Sequence, residues 1–263
     1  MGILKADFVY PTNRISKGKK KMIGIISAMD VEISGLRERM SERQDERISG
    51  VRYTRGRLFG QEAVLAVCGV GKCFATLCAQ TMILRYQPVC ILNIGVAGTL
   101  SEHLGIGDMA VGTSAVCYDM DTSPVGDPVG LISGIHLIYI PLDEKLSEGL
   151  YRACGALGIK AEKGVVASGD QFICNRAKKE WIARQFSAIV CEMEGQAIAQ
   201  TCFVNGVPCA ILRSVSDNAD GTAGEYEHFK HQAAANSEKI LEKFFKQAAG
   251  DLVIVPLRAD PAE

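Results

Sequence analysis

The stretch KCFATLCAQTMILRYQPVCILNIGVAG, residues 72–98, decides the fold class. From Lys72 to Tyr86 the apolar positions Phe74, Leu77, Cys78, Met82 and Ile83 recur at helical spacing. Pro88 cannot continue a helix, and Val89 to Ile94 is an apolar run of strand length interrupted by Asn93, the pattern of a strand covered on both faces. Gly95-Val96-Ala97-Gly98 then closes the unit with small residues that let backbone amides approach a ligand. Helix, buried strand and glycine turn in that order are the repeating unit of a layered α/β fold.

The same alternation extends in both directions. Upstream, Met22 to Ile26 reads as a strand, Val31 to Met40 as a helix, and Val51–Leu58 with Ala63–Val67 as a hairpin turning at Phe59-Gly60-Gln61-Glu62. Downstream, Gly105 to Val116 reads as a strand pair, and Asp119 to Gly134, rich in Asp, Pro and Gly, as a long loop of the kind that tends to be functional. Helices are expected near Asp143–Leu157, Arg176–Phe186, Gly195–Asn205 and Tyr226–Ala248, with strands at Gly164–Ser168, Ala188–Cys191 and Pro208–Ser214. The expected architecture is a three-layer α/β/α sandwich around a central mixed β-sheet, formed by one domain over 22–250 between tails at 1–21 and 251–263.

Composition narrows the function classes. The 263 residues are 48% apolar and 22% charged, and 29 basic residues balance 30 acidic ones for a net charge of -1. Such a chain has no global field to attract a nucleic-acid backbone or an anionic membrane, and its apolar runs fall well short of the roughly 20 residues of a spanning helix. A small-molecule partner is expected. The ten cysteines lie mostly in apolar segments and make no C-x-x-C pair, and the four histidines are scattered. Reduced core cysteines, a cytoplasmic location and no metal or organic cofactor follow as expectations.

Ligands of open α/β sheets sit beyond the carboxyl ends of strands. Three strand exits carry carboxylates: Asp30 and Glu32 after the first strand, Glu192 and Glu194 after the strand ending at Cys191, and Asp217 and Asp220 after Ser214. Each alone reads as a helix cap, but together in one crevice they suit acid and base chemistry on a sugar derivative. Gly69-Val70-Gly71-Lys72 lacks a glycine at position 66 and has Cys73 where a phosphate loop needs Ser or Thr, and the 93–98 turn lacks the third glycine of a dinucleotide fingerprint.

The segments IGIISAMDVE, CGVGK, NIGVAG, SGDQFI, CEMEGQAIA and RSVSDNAD, in this order between Met22 and Ala248, resemble those of the 5'-methylthioadenosine/S-adenosylhomocysteine nucleosidases of the purine and uridine phosphorylase superfamily. The resemblance implies a nucleoside phosphorylase-like fold and hydrolysis of an N-glycosidic bond. It implies Glu32 as the residue activating water and Asp217 as the acid protonating adenine N7. It further implies Met193 and Glu194 at the ribose, Phe172 and Ile173 at the adenine, Gly98 against the substrate, Arg213 near the water and Tyr226 closing over the sugar. A homodimer is implied as well, with the 119–134 loop, including Pro124, Val125 and Pro128, as the candidate contribution to a partner's pocket.

Val96 departs from the Ser that many members carry, and GVAG, SGDQF and SDNAD together resemble a bacterial subgroup that also cleaves 6-amino-6-deoxyfutalosine in a menaquinone pathway. The rival reading is a nucleoside phosphorylase on the same fold. Such an enzyme needs a cationic cage for phosphate, whereas Asp30, Glu32 and Val96 occupy the corresponding positions here. A nucleoside-binding module without turnover is disfavoured because both Glu32 and Asp217 are present.

Overall fold

The computed structural model describes residues 22–220 and the backbone of 223–248, with side chains from 235 to 247 in the last helix. The expected tails at 1–21 and 251–263 lie outside the described residues, as does the Tyr226 side chain. Among the described residues the strands are β1 Met22–Ser27, β2 Ser41–Ile48, β3 Val51–Leu58, β4 Gln61–Val67, β5 Cys90–Thr99, β6 Met109–Cys117, β7 Tyr139–Pro141, β8 Ala161–Ser168, β9 Ala188–Glu192 and β10 Cys209–Asp217. The helices are α1 Ser34–Glu38, α2 Lys72–Tyr86, α3 Glu144–Ala156, α4 Arg176–Phe186, α5 Gly195–Val204 and α6 Ala223–Ala248.

The strands form one mixed sheet in the order β10-β6-β8-β9-β5-β1-β4-β3-β2, with β7 beside β6. β5 is the pivot: it runs parallel to β1 and to β10 and meets β9 antiparallel. Because β10 also pairs with β6, and β8 joins β6 to β9, the pairings from β5 through β10, β6, β8 and β9 return to β5. Strand exits far apart in sequence are thereby drawn around one opening.

Side chains alternate across the sheet with the two-residue period of a strand. Met22 and Ile26 join one core with Ala75, Cys78 and Met82 of α2 and Ile198 and Cys202 of α5. Ile23 and Ile25 join the opposite core with Leu36 of α1, Leu146 and Leu150 of α3, and Ile240, Leu241, Phe244 and Phe245 of α6. This is the expected three-layer arrangement. Local signals fix the helix ends: Asp143 and Asn175 accept hydrogen bonds from the N–H of Leu146 (2.9 Å) and Lys178 (3.0 Å), capping α3 and α4. α2 stops at Gln87, which turns into the left-handed region (φ 50°) before Pro88.

Two local expectations are corrected, and one further strand has no counterpart among them. Residues 31–40 do not form one helix but a 3-10 turn at Asp30–Glu32 followed by the short α1. The N–H groups of Ala28 and Met29 turn back onto the Glu32 carboxylate, and this holds the segment in a tight turn before the helix proper begins. Gly105–Val116 is one strand rather than two, because the Asp108 carboxylate accepts the Gly105 N–H at 2.9 Å and closes a turn ahead of Met109. SERQDERI at 41–48, unremarkable as a strand, forms β2, an exposed edge strand whose charges discourage pairing with other chains.

Candidate active site

Glu32, Glu192, Glu194 and Asp217 are all buried; Glu192 and Asp217 line one pocket, and Glu32 and Glu194 are not part of its lining. Glu32 follows β1 and points back into the fold. Its Oε2 accepts the N–H of Ala28 at 3.0 Å and of Met29 at 2.9 Å, and its Oε1 accepts that of Val96 at 3.0 Å. The close approach needs Gly95, where a Cβ would lie 2.8 Å from Oε1. Burial pushes the Glu32 carboxyl above its ordinary range, against the opposing pull of Arg213 and the three backbone donors. A carboxylate so placed is a stronger base than one in water.

Asp217 ends β10, where the pairing with β5 shifts register between Val215 and Asp217. The bulge re-aims the last residue of the strand and sets it opposite Gly98. Ser216 Oγ donates to one Asp217 oxygen at 2.8 Å and the Ala219 N–H to the other at 2.9 Å. A Cβ on Gly98 would stand 2.8 Å from Asp217 Oδ1, so this glycine leaves room for the carboxylate. Asp220 turns away to Lys179 at 3.5 Å.

Gly98 and Asp217 line a pocket with Gln171, Phe172, Ile173, Cys191, Glu192 and Met193. Phe172 is 46% exposed, while Ile173 is buried. Of the residues singled out in the sequence, Gly98, Phe172, Ile173, Met193 and Asp217 therefore share one pocket. Glu194 adjoins it at the start of α5, with Oε1 accepting the Gly71 N–H at 2.8 Å. Burial and the neighbouring charge of Glu192 push the Glu194 carboxyl up to about 8.

Arg213 lies beneath, fully enclosed, and its Nη2 donates to Glu192 Oε2 and to Asn93 Oδ1, each at 2.5 Å. Glu192 also accepts the N–H groups of Glu194 (3.0 Å) and Gly195 (2.7 Å) and the Ser168 hydroxyl. Glu192, Asn93 and Ser168 carry this buried network. The sequence offers Glu192 only as one of the strand-exit carboxylates, and it marks Asn93 as a polar side chain within the apolar run 89–94.

A second tie orders the pocket rim. Lys72 at the start of α2 pairs with Asp119, its backbone N–H donates to Asp170 Oδ1 at 2.9 Å, and the Asp170 N–H donates to Asp119 Oδ2 at 2.8 Å. Tyr118 adds a hydrogen bond to the Gln171 carbonyl at 3.2 Å. Among the described residues no cluster of three or more His, Cys, Asp or Glu side chains is arranged to hold a metal ion.

A mixed sheet between helical layers, with acids gathered at its strand exits, is the architecture of the phosphorylase superfamily, and the model of that family matches residues 22–246. The 5'-methylthioadenosine/S-adenosylhomocysteine nucleosidase of Shewanella piezotolerans is 33% identical over 228 residues, covering 86% of this chain and 99% of that protein. The aminodeoxyfutalosine nucleosidase of Campylobacter jejuni is 37% identical over 222 residues, covering 84% and 95%. Among solved structures, the 5'-methylthioadenosine/S-adenosylhomocysteine nucleosidase of Neisseria meningitidis in complex with methylthio-immucillin-A superposes with a TM-score of 0.83 at 32% identity, covering 86% of this chain and 99% of that one. The chain belongs to the 5'-methylthioadenosine/S-adenosylhomocysteine nucleosidase family of that superfamily.

Proposed function

We propose that the protein hydrolyses the N-glycosidic bond of 5'-methylthioadenosine and S-adenosylhomocysteine, releasing adenine and the thioribose product, and that it also accepts 6-amino-6-deoxyfutalosine. The observation that carries hydrolysis over phosphorolysis is the setting of Glu32. Backbone N–H groups of Ala28, Met29 and Val96, which could otherwise receive an oxyanion, are already taken by this carboxylate. A phosphate dianion brought to the same donors would meet a like charge.

In this reading Glu32 accepts a proton from the water that attacks the anomeric carbon. Asp217 gives a proton to adenine N7 as the bond to the sugar breaks. Positive charge builds on the ribose and the Glu32 carboxylate stabilises it electrostatically, while Glu194, protonated at neutral pH, hydrogen-bonds the ribose hydroxyls. Met193 packs against the sugar, Phe172 stacks on the base and Ile173 supports its edge. Gly98 leaves room at the bond that breaks, Arg213 sets the field beneath it, and Tyr226 closes over the sugar.

The substrate range is supported by relatives named for both kinds of nucleoside. Adenine release from each of the three nucleosides by the purified protein tests it. Comparable kcat/KM values for the thio-nucleosides and aminodeoxyfutalosine support a dual role, and loss of either class assigns the enzyme to the other.

The reading includes a homodimer. Phe74, Leu77 and Leu84 stand exposed on the outer face of α2, with Val70 ahead of the helix and Val125 on the 119–134 loop. Exposed apolar side chains of this kind suit a protein interface. It further includes a cytoplasmic location, supported by ten cysteines that are all free thiols. No helix among the described residues is long and apolar enough to cross a membrane.

A further inference from the structure

Three buried carboxylates, Glu32, Glu192 and Glu194, surround a single buried guanidinium, Arg213. With every group ionised the cluster holds more negative charge than one arginine can balance. Among the described residues Arg213 makes an ion pair within 4 Å with Glu192 alone. Glu192 borders the pocket, yet both its oxygens are occupied, one by the Ser168 hydroxyl and the other by Arg213 and the N–H groups of Glu194 and Gly195. It has little left to offer a substrate, so its effect must pass through what it holds.

We propose that Glu192 is a positioning residue, which by engaging Arg213 keeps that guanidinium from neutralising Glu32 and Glu194. The proposal rests on the reading of Glu32 as base and Glu194 as ribose ligand, but its test does not depend on turnover. Arg213 stands close to its alternative partner: at Gly95 a Cβ would lie 2.8 Å from Glu32 Oε1 and 3.6 Å from Arg213 Nη1. Arg213 Nε is buried without a hydrogen-bond partner, so the side chain has an unmet demand for an acceptor. Glu192 and Asn93 together hold Nη2 against that demand. A base freed from direct pairing with arginine keeps its affinity for the proton of water.

The titratable groups facing the cluster are Cys68 beyond β4, Tyr118 beyond β6, Cys191 on β9 and Asp217 on β10, besides the three glutamates and Arg213. Burial pushes the Cys68, Tyr118 and Cys191 groups up, so they remain neutral over the range in which the glutamates titrate.

The test is a carboxyl titration of glutamate-13C-labelled protein, assigned with Glu194→Gln and Glu32→Gln, together with a crystal structure of Glu192→Gln. The wild-type Glu194 carboxyl is expected to titrate near its raised value of about 8. In Glu192→Gln it falls by about one to three pH units, and Arg213 moves to within 4 Å of a Glu32 or Glu194 oxygen. Glu192→Asp keeps the charge but withdraws it from Arg213, and is expected to give a smaller fall in the same direction with the fold intact. Arg213 staying in place in Glu192→Gln, or an unmoved titration in Glu192→Asp, would show that Glu192 acts by its own charge alone and overturns the proposal. The acid limb of kcat in Glu192→Gln is expected to move to lower pH. Absence of adenine release by the wild type counts against the proposed function, whereas the titration still decides this proposal.

Discussion

Glu32 and Val96, 64 positions apart in sequence, meet through a 3.0 Å hydrogen bond from the Val96 N–H to the glutamate carboxylate. The bond links the exit of β1 to the glycine turn within β5, and it uses the backbone of Val96 rather than its side chain. This support for the base is therefore independent of the side chain that stands at position 96. Glu32→Gln keeps one acceptor oxygen, turns its NH2 against a backbone N–H on the other side, and cannot take a proton. It is expected to fold with a modestly lowered Tm and to lose roughly 100-fold or more in kcat. Thermal melts and single-turnover adenine release check the two halves.

Asp217 and Gly98 form a second pair in which geometry predicts kinetics. Asp217→Asn should leave the melting profile intact and abolish most turnover. Gly98→Ala places a methyl 2.8 Å from Asp217 Oδ1 and 2.9 Å from Ala219 Cβ, so carboxylate or backbone must shift. A loss of kcat with a modest drop in Tm is expected, and near-normal kcat in either variant would remove Asp217 from the acid's role.

Glu194 gives the pH dependence of stability. Its folded value of about 8 lies above the ordinary 4.5, so between those limits the native state holds a proton that the unfolded chain has released. Stability from this group therefore falls as pH rises through that window. Glu194→Gln should match the wild type in stability near pH 5 and exceed it by roughly 1–3 kcal/mol near pH 8.5. Denaturant titrations at the two pH values measure the difference.

Lys72 ties the start of α2 to Asp119 and Asp170, and Asp170 leads directly into the Gln171–Ile173 wall of the pocket. Lys72→Met loosens that wall without touching Glu32 or Asp217. A KM increase of roughly tenfold with kcat reduced less than threefold is expected, about 1.4 kcal/mol of lost binding. A fall in kcat at constant KM would contradict this division of labour.

The exposed α2 face predicts the assembly. Leu77→Asp, at the middle of Phe74, Leu77 and Leu84, should convert a dimer to a monomer in sedimentation equilibrium and lower activity with it. A wild-type monomer at micromolar concentration contradicts the dimer outright.

Legibility in the sequence followed burial. The central strands β1, β5 and β10 are covered on both faces and are wholly or almost wholly buried, so their apolar runs announced them. β2 is not legible in the sequence because its eight residues alternate no apolar face and gain their place by hydrogen bonding to β3. The helix after β1 is shorter than its periodicity implies because the turn that precedes it is set by the Glu32 carboxylate, a contact that periodicity does not register. Carboxylates at strand exits were visible, and the resemblance ranked them. The importance of Glu192 was not, since a glutamate before a helix reads as a cap until Arg213, 21 residues on, is seen buried against it.

The central claim is that water, not phosphate, attacks the ribose. Incubating the purified protein with 5'-methylthioadenosine in phosphate-free buffer, and then with added phosphate, while identifying the sugar product, tests it most directly. The account predicts adenine and free 5-methylthioribose at the same rate in both buffers. Adenine released only with phosphate, accompanied by the sugar 1-phosphate, would contradict it.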